Sequence, residues 1–299
     1  MSRPRSAVAL CLSILAAAPA FSAEKPGAAG WPLLAAPPAP RAGSPRAADA
    51  DAEKYAKCMK LARDDPPAAR KLAQGWQEQG GGHPADHCLA VSLIGLRQYK
   101  DGAARLEKLA QAMVRAPAGL RADVLGQAAQ AWLLAGDAGR SYTADGMALA
   151  LRPDDLELLV DRAAAAGSAG WFDKAVADLD RVLQSDPSRL DALIYRASAN
   201  RALGRLDPAL ADIEAALKRA PDSPAALLER GNIRSLRGEI DGARADWVRV
   251  AALAPGTTAA TAAKTNIARV DAAAREEAPA KPKSAKAPKA QVPAAAAPE

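Results

Sequence analysis

An all-α solenoid of stacked helix-turn-helix units is the fold class this sequence predicts, and three observations predict it. Pro153, Pro187, Pro221 and Pro255 lie 34 residues apart. Gly136, Gly170, Gly204 and Gly238 repeat at the same interval. The composition is 49% hydrophobic but only 4% aromatic, so the apolar content is mainly alanine. Alanine is the best helix former and lets helices approach closely. Each repeating column has a mechanical role. The glycine ends a first helix in the left-handed conformation that relieves its last carbonyls. The proline cannot continue the second helix and marks its exit. A single helix pair has one apolar face and cannot stand alone, so units stack.

Taken along the chain, Arg3 and Arg5 precede a short apolar run, Ala7 to Ala18, and then Ala18-Pro19-Ala20. That order predicts a secretory signal peptide over 1–23, cleaved between Ala20 and Glu24, and an exported, periplasmic or secreted protein. Residues 24–50 are rich in Ala and Pro and predict a disordered linker. Residues 51–80 predict one helix pair turning at Asp64-Asp65-Pro66-Pro67. Tyr99, Gly102, Leu106 and Leu109 mark half of a degenerate unit, joined to the next through the longer link Arg115 to Arg121. Regular units occupy 122–257, a capping helix 258–274, and a disordered tail 276–299 with Lys281, Lys283, Lys286 and Lys289. Five to six units thus fill 51–275. The packing columns are Leu125, Leu159, Leu193, Leu227; Ala129, Ala163, Ala197, Gly231; Ala175, Ala209, Ala243; and Leu179, Ile213, Trp247.

The unit Leu190 to Ser223 carries Leu193, Ala197, Gly204, Ala209, Ile213, Ala216 and Pro221 at the spacing of a known family. The chain resembles a tetratricopeptide repeat protein of an exported bacterial kind. The resemblance is best over 156–257; Ser141 and Asp145 interrupt it over 122–155, and it is weaker upstream. It implies that first helices line a concave groove that takes a partner's helix or extended peptide. Here that groove is expected to be carried by Val160, Ile194 and Leu228, helped by Ser198, Arg201 and Asn232. Neighbours of a packing leucine point some 100° away around the helix, so a second apolar column is not needed by the helix pair itself. The competing expectation is that this column packs on the next unit. The subclass that clamps chaperone carboxylates would place Lys in this apolar column, so that subclass is disfavoured.

Two charged columns run in step. Arg162, Arg196 and Arg230 each precede Asp178, Asp212 and Asp246 by sixteen residues, and both partners are lost together at Ala128 and Ala144. Joint loss points to a structural ion-pair ladder. Cys58 and Cys88 are the cysteines left after export, and an oxidising compartment favours a bridge between them. Free thiols are one alternative, and His83, Asp86 and His87 nearby leave a metal site as the sharper one, but no second ligand motif supports it. No metal and no cofactor are expected.

The formal charge of +6 resides largely in the two ends, and residues 51–275 carry only +2. A groove for nucleic acid would need a concentrated basic face with stacking aromatics. No phosphate loop, His-Glu-x-x-His or Gly-x-Ser-x-Gly occurs. The expectation is therefore a non-enzymatic binding or assembly scaffold of the cell envelope with a protein or peptide partner, no nucleic acid and no membrane span. An accessory that brings an enzyme to an envelope substrate, or a tail that touches an anionic polymer, is the alternative.

Overall fold

A computed structural model describes residues 45–277 of the chain; the expected signal peptide, most of the expected linker and nearly all of the expected tail lie outside the described residues. Among the described residues there are thirteen helices and no strand. They form six antiparallel pairs and one terminal helix: α1 (Pro45–Asp64) with α2 (Pro66–Glu78), α3 (Gly82–Gly95) with α4 (Tyr99–Ala112), α5 (Ala118–Leu134) with α6 (Ala138–Leu151), α7 (Leu156–Ser168) with α8 (Phe172–Ser185), α9 (Leu190–Ala202) with α10 (Leu206–Arg219), α11 (Pro224–Leu236) with α12 (Ile240–Leu253), and α13 (Thr258–Glu277). Two helix ends differ from the sequence expectation. The first helix begins six residues inside the expected linker, where Pro45 is tolerated because the first N–H groups of a helix have no intrahelical partner. The last runs to Glu277 rather than stopping at residue 274.

Local chemistry accounts for the breaks. The Asp65 carboxylate accepts the Ala68 N–H and Pro66 opens α2; Ser223 accepts the Ala226 N–H and Pro224 opens α11. Gly136, Gly170, Gly204 and Gly238 close the first helices at φ between 74° and 80°, the conformation that a Cβ disfavours. In the second pair the equivalent turn residue is Arg97 at φ 59°, the single non-glycine at positive φ among the described residues.

Helices pack in chain order, and first helices also touch the first helices of neighbouring units. One apolar cluster runs from α3 to α13. A second, smaller one joins α1, α2 and one side of α3 around Cys58, Trp76 and Cys88. Side chains are matched across each pair: where Trp247 replaces the Leu179 and Ile213 of other units, Gly231 replaces their alanine, and a Cβ on Gly231 would lie 2.5 Å from the indole nitrogen. No helix among the described residues is long and apolar enough to cross a membrane.

Candidate partner-binding surfaces

The charged columns are ion pairs. Arg162 Nε and Nη2 donate to Asp178 at 2.8 and 2.6 Å, Arg196 to Asp212 at 2.9 and 2.7 Å, and Arg230 to Asp246 at 2.9 and 2.6 Å. Each is a fork-to-fork contact between the two helices of one unit. Arg196 also donates through Nη1 to Asp180 of the preceding unit, 2.7 Å away. Glu214 and Asp145 bring negative charge toward Arg230 and Arg162 in the same sense. These guanidiniums are held above the ordinary arginine range, first by hydrogen bonds to their aspartates and against the desolvation that opposes it. The three aspartates are buried. Ala128 and Ala144, which stand in their place in the third pair, are buried alanines.

Cys58 on α1 and Cys88 on α3 are joined by a disulfide, with Cα atoms 6.1 Å apart across a separation of 30 residues. The sulfurs are therefore not free to ligate metal. His87 is engaged as well. Tyr55 Oη lies 2.8 Å from its Nδ1 and Gln127 Oε1 lies 2.7 Å from its Nε2. A neutral ring protonated on Nε2 satisfies both contacts, and burial pushes its pKa below the usual histidine value. No group of three or more His, Cys, Asp or Glu side chains fit to hold a metal occurs among the described residues. This relay links the small N-terminal core through α3 to α5. Sequence spacing carries no signal for it, because Tyr55, His87 and Gln127 do not recur.

The expected groove column needs correction. Val160 and Ile194 are 4% and 5% exposed, and Ser198 is wholly buried. Leu228 is half-buried. Arg201 Nε donates to Glu229 at 2.7 Å, and the Ser198 hydroxyl lies 3.4 Å from the same carboxylate. Asn232 accepts from Trp247 Nε1 at 3.2 Å and from Asn266 Nδ2 at 2.9 Å. These contacts all join one first helix to the next unit, apart from the Trp247 bond within its own. The cause is the approach of the next unit. Successive first helices touch each other, and Val160 and Ile194 are buried in the continuous core instead of facing solvent.

Three of the six large apolar side chains left exposed among the described residues lie at within-unit turns; Val114, Val248 and Leu253 lie elsewhere. Trp171 flanks the α7–α8 turn, and Leu236 and Ile240 flank the α11–α12 turn; they are 39%, 40% and 41% exposed. Within-unit turns share one edge of the stack. Along it Arg205 bonds Asp173 and Arg237 bonds Asp207, each at 2.9 Å, tying consecutive turns together. Trp171 packs edge-on against Tyr142 with ring centroids 5.4 Å apart, and the Lys174 ammonium lies 4.3 Å from the Trp171 ring and 5.0 Å from that of Tyr142. This edge was missed in the sequence, although its signal was present. Trp171 is the only aromatic in a turn column otherwise made of Asp137, Arg205 and Glu239.

No protein-family model and no curated protein matches the chain. Solved structures do. A MamA RS-1 double mutant aligns over 57% of this chain and 93% of its own, at 16% identity and a TM-score of 0.50. TTC0263, a thermophilic TPR protein of Thermus thermophilus, aligns over 62% of this chain and all of its own, at 18% identity and a TM-score of 0.48. The first TPR of Spaghetti (RPAP3), bound to an HSP90 peptide, aligns over 40% of this chain and 93% of its own, at 22% identity and a TM-score of 0.37. The 34-residue columns and the glycine-closed turns agree with the likeness of the stack to MamA: this chain is an α-solenoid of stacked 34-residue helix pairs, similar in fold to MamA.

Proposed function

We propose that this chain is a non-enzymatic protein-interaction scaffold of the cell envelope that holds a partner helix or peptide on its turn edge. The observation that carries this reading is that Trp171, Leu236 and Ile240, three of the six exposed large apolar side chains among the described residues, flank turns along one edge of the repeat stack. Large apolar side chains gathered on a folded surface mark interaction sites, whereas singly scattered ones do not. Aromatic and aliphatic anchors of this kind supply most of the energy of protein interfaces. The inner face contributes at its mouth, where Leu228 and Tyr195 remain half-buried. Location in the envelope is supported by the order of charged, apolar and small residues over 1–23, and intact-mass measurement on protein from its native host tests it.

The binding test uses the mature chain as bait in an envelope extract, with bound proteins identified by mass spectrometry. A partner retained by the wild type should be lost from Trp171→Ala and from the double change Leu236→Asp with Ile240→Asp, while circular dichroism and melting stay almost unchanged. Equal capture by wild type and both variants would remove the edge as the binding surface. Ile194→Asp now serves as the contrasting control, because a charge placed in the buried inter-unit seam should unfold the stack rather than block a partner.

A further inference from the structure

The two degenerate pairs differ from the regular ones in how they hold charge. Residues 51–121 carry twelve Lys and Arg against eight Asp and Glu, whereas 122–275 carry nineteen against twenty-one. In the regular units most arginines are ion-paired; in α4 and its flanks Arg97, Lys100, Arg105, Lys108 and Arg115 are all exposed, and none is in an ion pair among the described residues.

Helix α4 can be laid on the repeat register through Tyr99, Gly102 and Leu106, which stand where Phe172, Ala175 and Leu179 stand in α8. On that register Lys100 occupies the column of Asp173, Asp207 and Asp241, and Arg105 occupies the ladder column of Asp178, Asp212 and Asp246. Two columns that are acidic in three consecutive units are thus basic in this one. Leu89 stands at the position of the ladder arginine, so Arg105 has no reason to turn inward. Asp137, at the turn position equivalent to Arg205, accepts the Arg140 N–H and guanidinium instead of Lys100. At 100° per residue the α4 side chains fall on two sides. Gly102, Ala103, Leu106, Leu109 and Ala110 are buried on one side, and Lys100, Arg105 and Lys108 lie on the other with Asp101 and, at its margin, Glu107, whose carboxylate accepts from Trp132 Nε1.

A second, independent observation marks one end of this face. Arg97 fills the left-handed slot that later units give to glycine, at φ 59°. A non-glycine residue is held there against a backbone penalty, and such positions concentrate at functional sites. At the other end, beside Arg115, lies Val114, the most exposed large apolar residue among those described at 72%.

We infer that the outward face of α4 is a docking surface for an anionic lipid bilayer, with Arg97, Lys100, Arg105, Lys108 and Arg115 facing the headgroups and Val114 entering the interface. The occupant follows from shape and charge. The cations stand along a single exposed helix and its flanks, and among the described residues no exposed aromatic stands beside them to stack a base. A flat anionic surface can meet them all at once. Each cation near such a surface adds to binding independently and is screened by salt.

The test is co-sedimentation of the full chain with vesicles of phosphatidylcholine alone or with one third phosphatidylglycerol, at low and at moderate salt. The wild type should prefer the anionic vesicles, more so at low salt. The triple change Lys100→Gln, Arg105→Gln, Lys108→Gln should weaken that preference by about 100-fold, at about fivefold per cation, with helicity unchanged and binding to neutral vesicles unaffected. Arg97→Gly should lower anionic binding by about fivefold yet raise the melting midpoint by about 2–4 °C. Full retention of lipid preference by the triple variant, with its loss on changing Lys281, Lys283, Lys286 and Lys289 to Gln, would assign binding to the tail and overturn the inference. Retention on immobilised polyglutamate without any preference for anionic vesicles would overturn it in favour of an acidic protein. Trp171→Ala should leave all of these readouts unchanged, which separates this surface from the partner-binding edge.

Discussion

His87 shows how much a single non-repeating residue can decide. Its imidazole is buried between Tyr55 and Gln127, and burial lowers its pKa in the folded state. In the unfolded chain it returns to about 6.5. The unfolded state therefore binds a proton first as pH falls, so the stability present above about 6.5 is lost between that value and the lowered folded pKa. Denaturant midpoints should be level from pH 8 to 7 and fall below 6.5, and His87→Gln should flatten that fall. A wild-type midpoint that holds constant down to pH 5 would show that the buried ring does not control acid stability. Arg162, Arg196 and Arg230 were legible in the sequence because they recur in step with their aspartates. Val160 and Ile194 were misplaced because periodicity gives the direction of a side chain around its own helix. It does not give how closely the next helix approaches.

At the scale of helix pairs, compensation between large and small residues is what keeps the spacing constant. Gly231→Ala would push a methyl into the Trp247 indole. Overpacking of this sort costs about 1–3 kcal/mol. The expected result is a clear drop in melting temperature for Gly231→Ala that Trp247→Leu largely reverses, read as a double-mutant cycle. If the two changes are additive, the contact is not the reason for the glycine. The ladder gives a second cycle. Arg196→Ala strands the buried Asp212 carboxylate and should cost about 3 kcal/mol. Adding Asp212→Ala should restore part of that stability, although not all, because Arg196 also bonds Asp180. The Trp247–Gly231 exchange was visible in the sequence as two departures in the same unit. The Asp180 bond was not, since Glu214 and Gly146 stand at its equivalent positions and no column forms.

Over the whole molecule, stability is distributed unevenly. The regular units share one continuous core, whereas α1, α2 and one side of α3 have their own small one. The disulfide lies inside that smaller core. Closing a loop of 30 residues is worth roughly 3–4 kcal/mol in the chain-entropy picture. Reduction should therefore raise amide exchange selectively over α1 to α3 and leave α7 to α12 protected. Uniform deprotection would mean that the stack unfolds as one unit and that the bridge braces all of it. Sequence periodicity located this weak end through its missing columns. The start of α1 at Pro45 was hidden, because Ala- and Pro-rich composition reads alike whether it forms a linker or the first turn of a helix.

Glu229 carries a consequence of a different kind. Its buried carboxylate meets Arg201 and Ser198 of the preceding unit, and no other unit has an acid and an arginine at these two positions, Tyr195 and Gly167 standing there one repeat earlier. Ladder pairs are the same from unit to unit, so a chain relying on them alone could close with one repeat skipped, or borrow a repeat from a neighbouring molecule, and still satisfy every pair. The Arg201–Glu229 contact can be made in only one order. It works as an address within a repeating text, so that α11 and no other first helix follows α9, and an array built from near-identical parts assembles with a single sequence of parts.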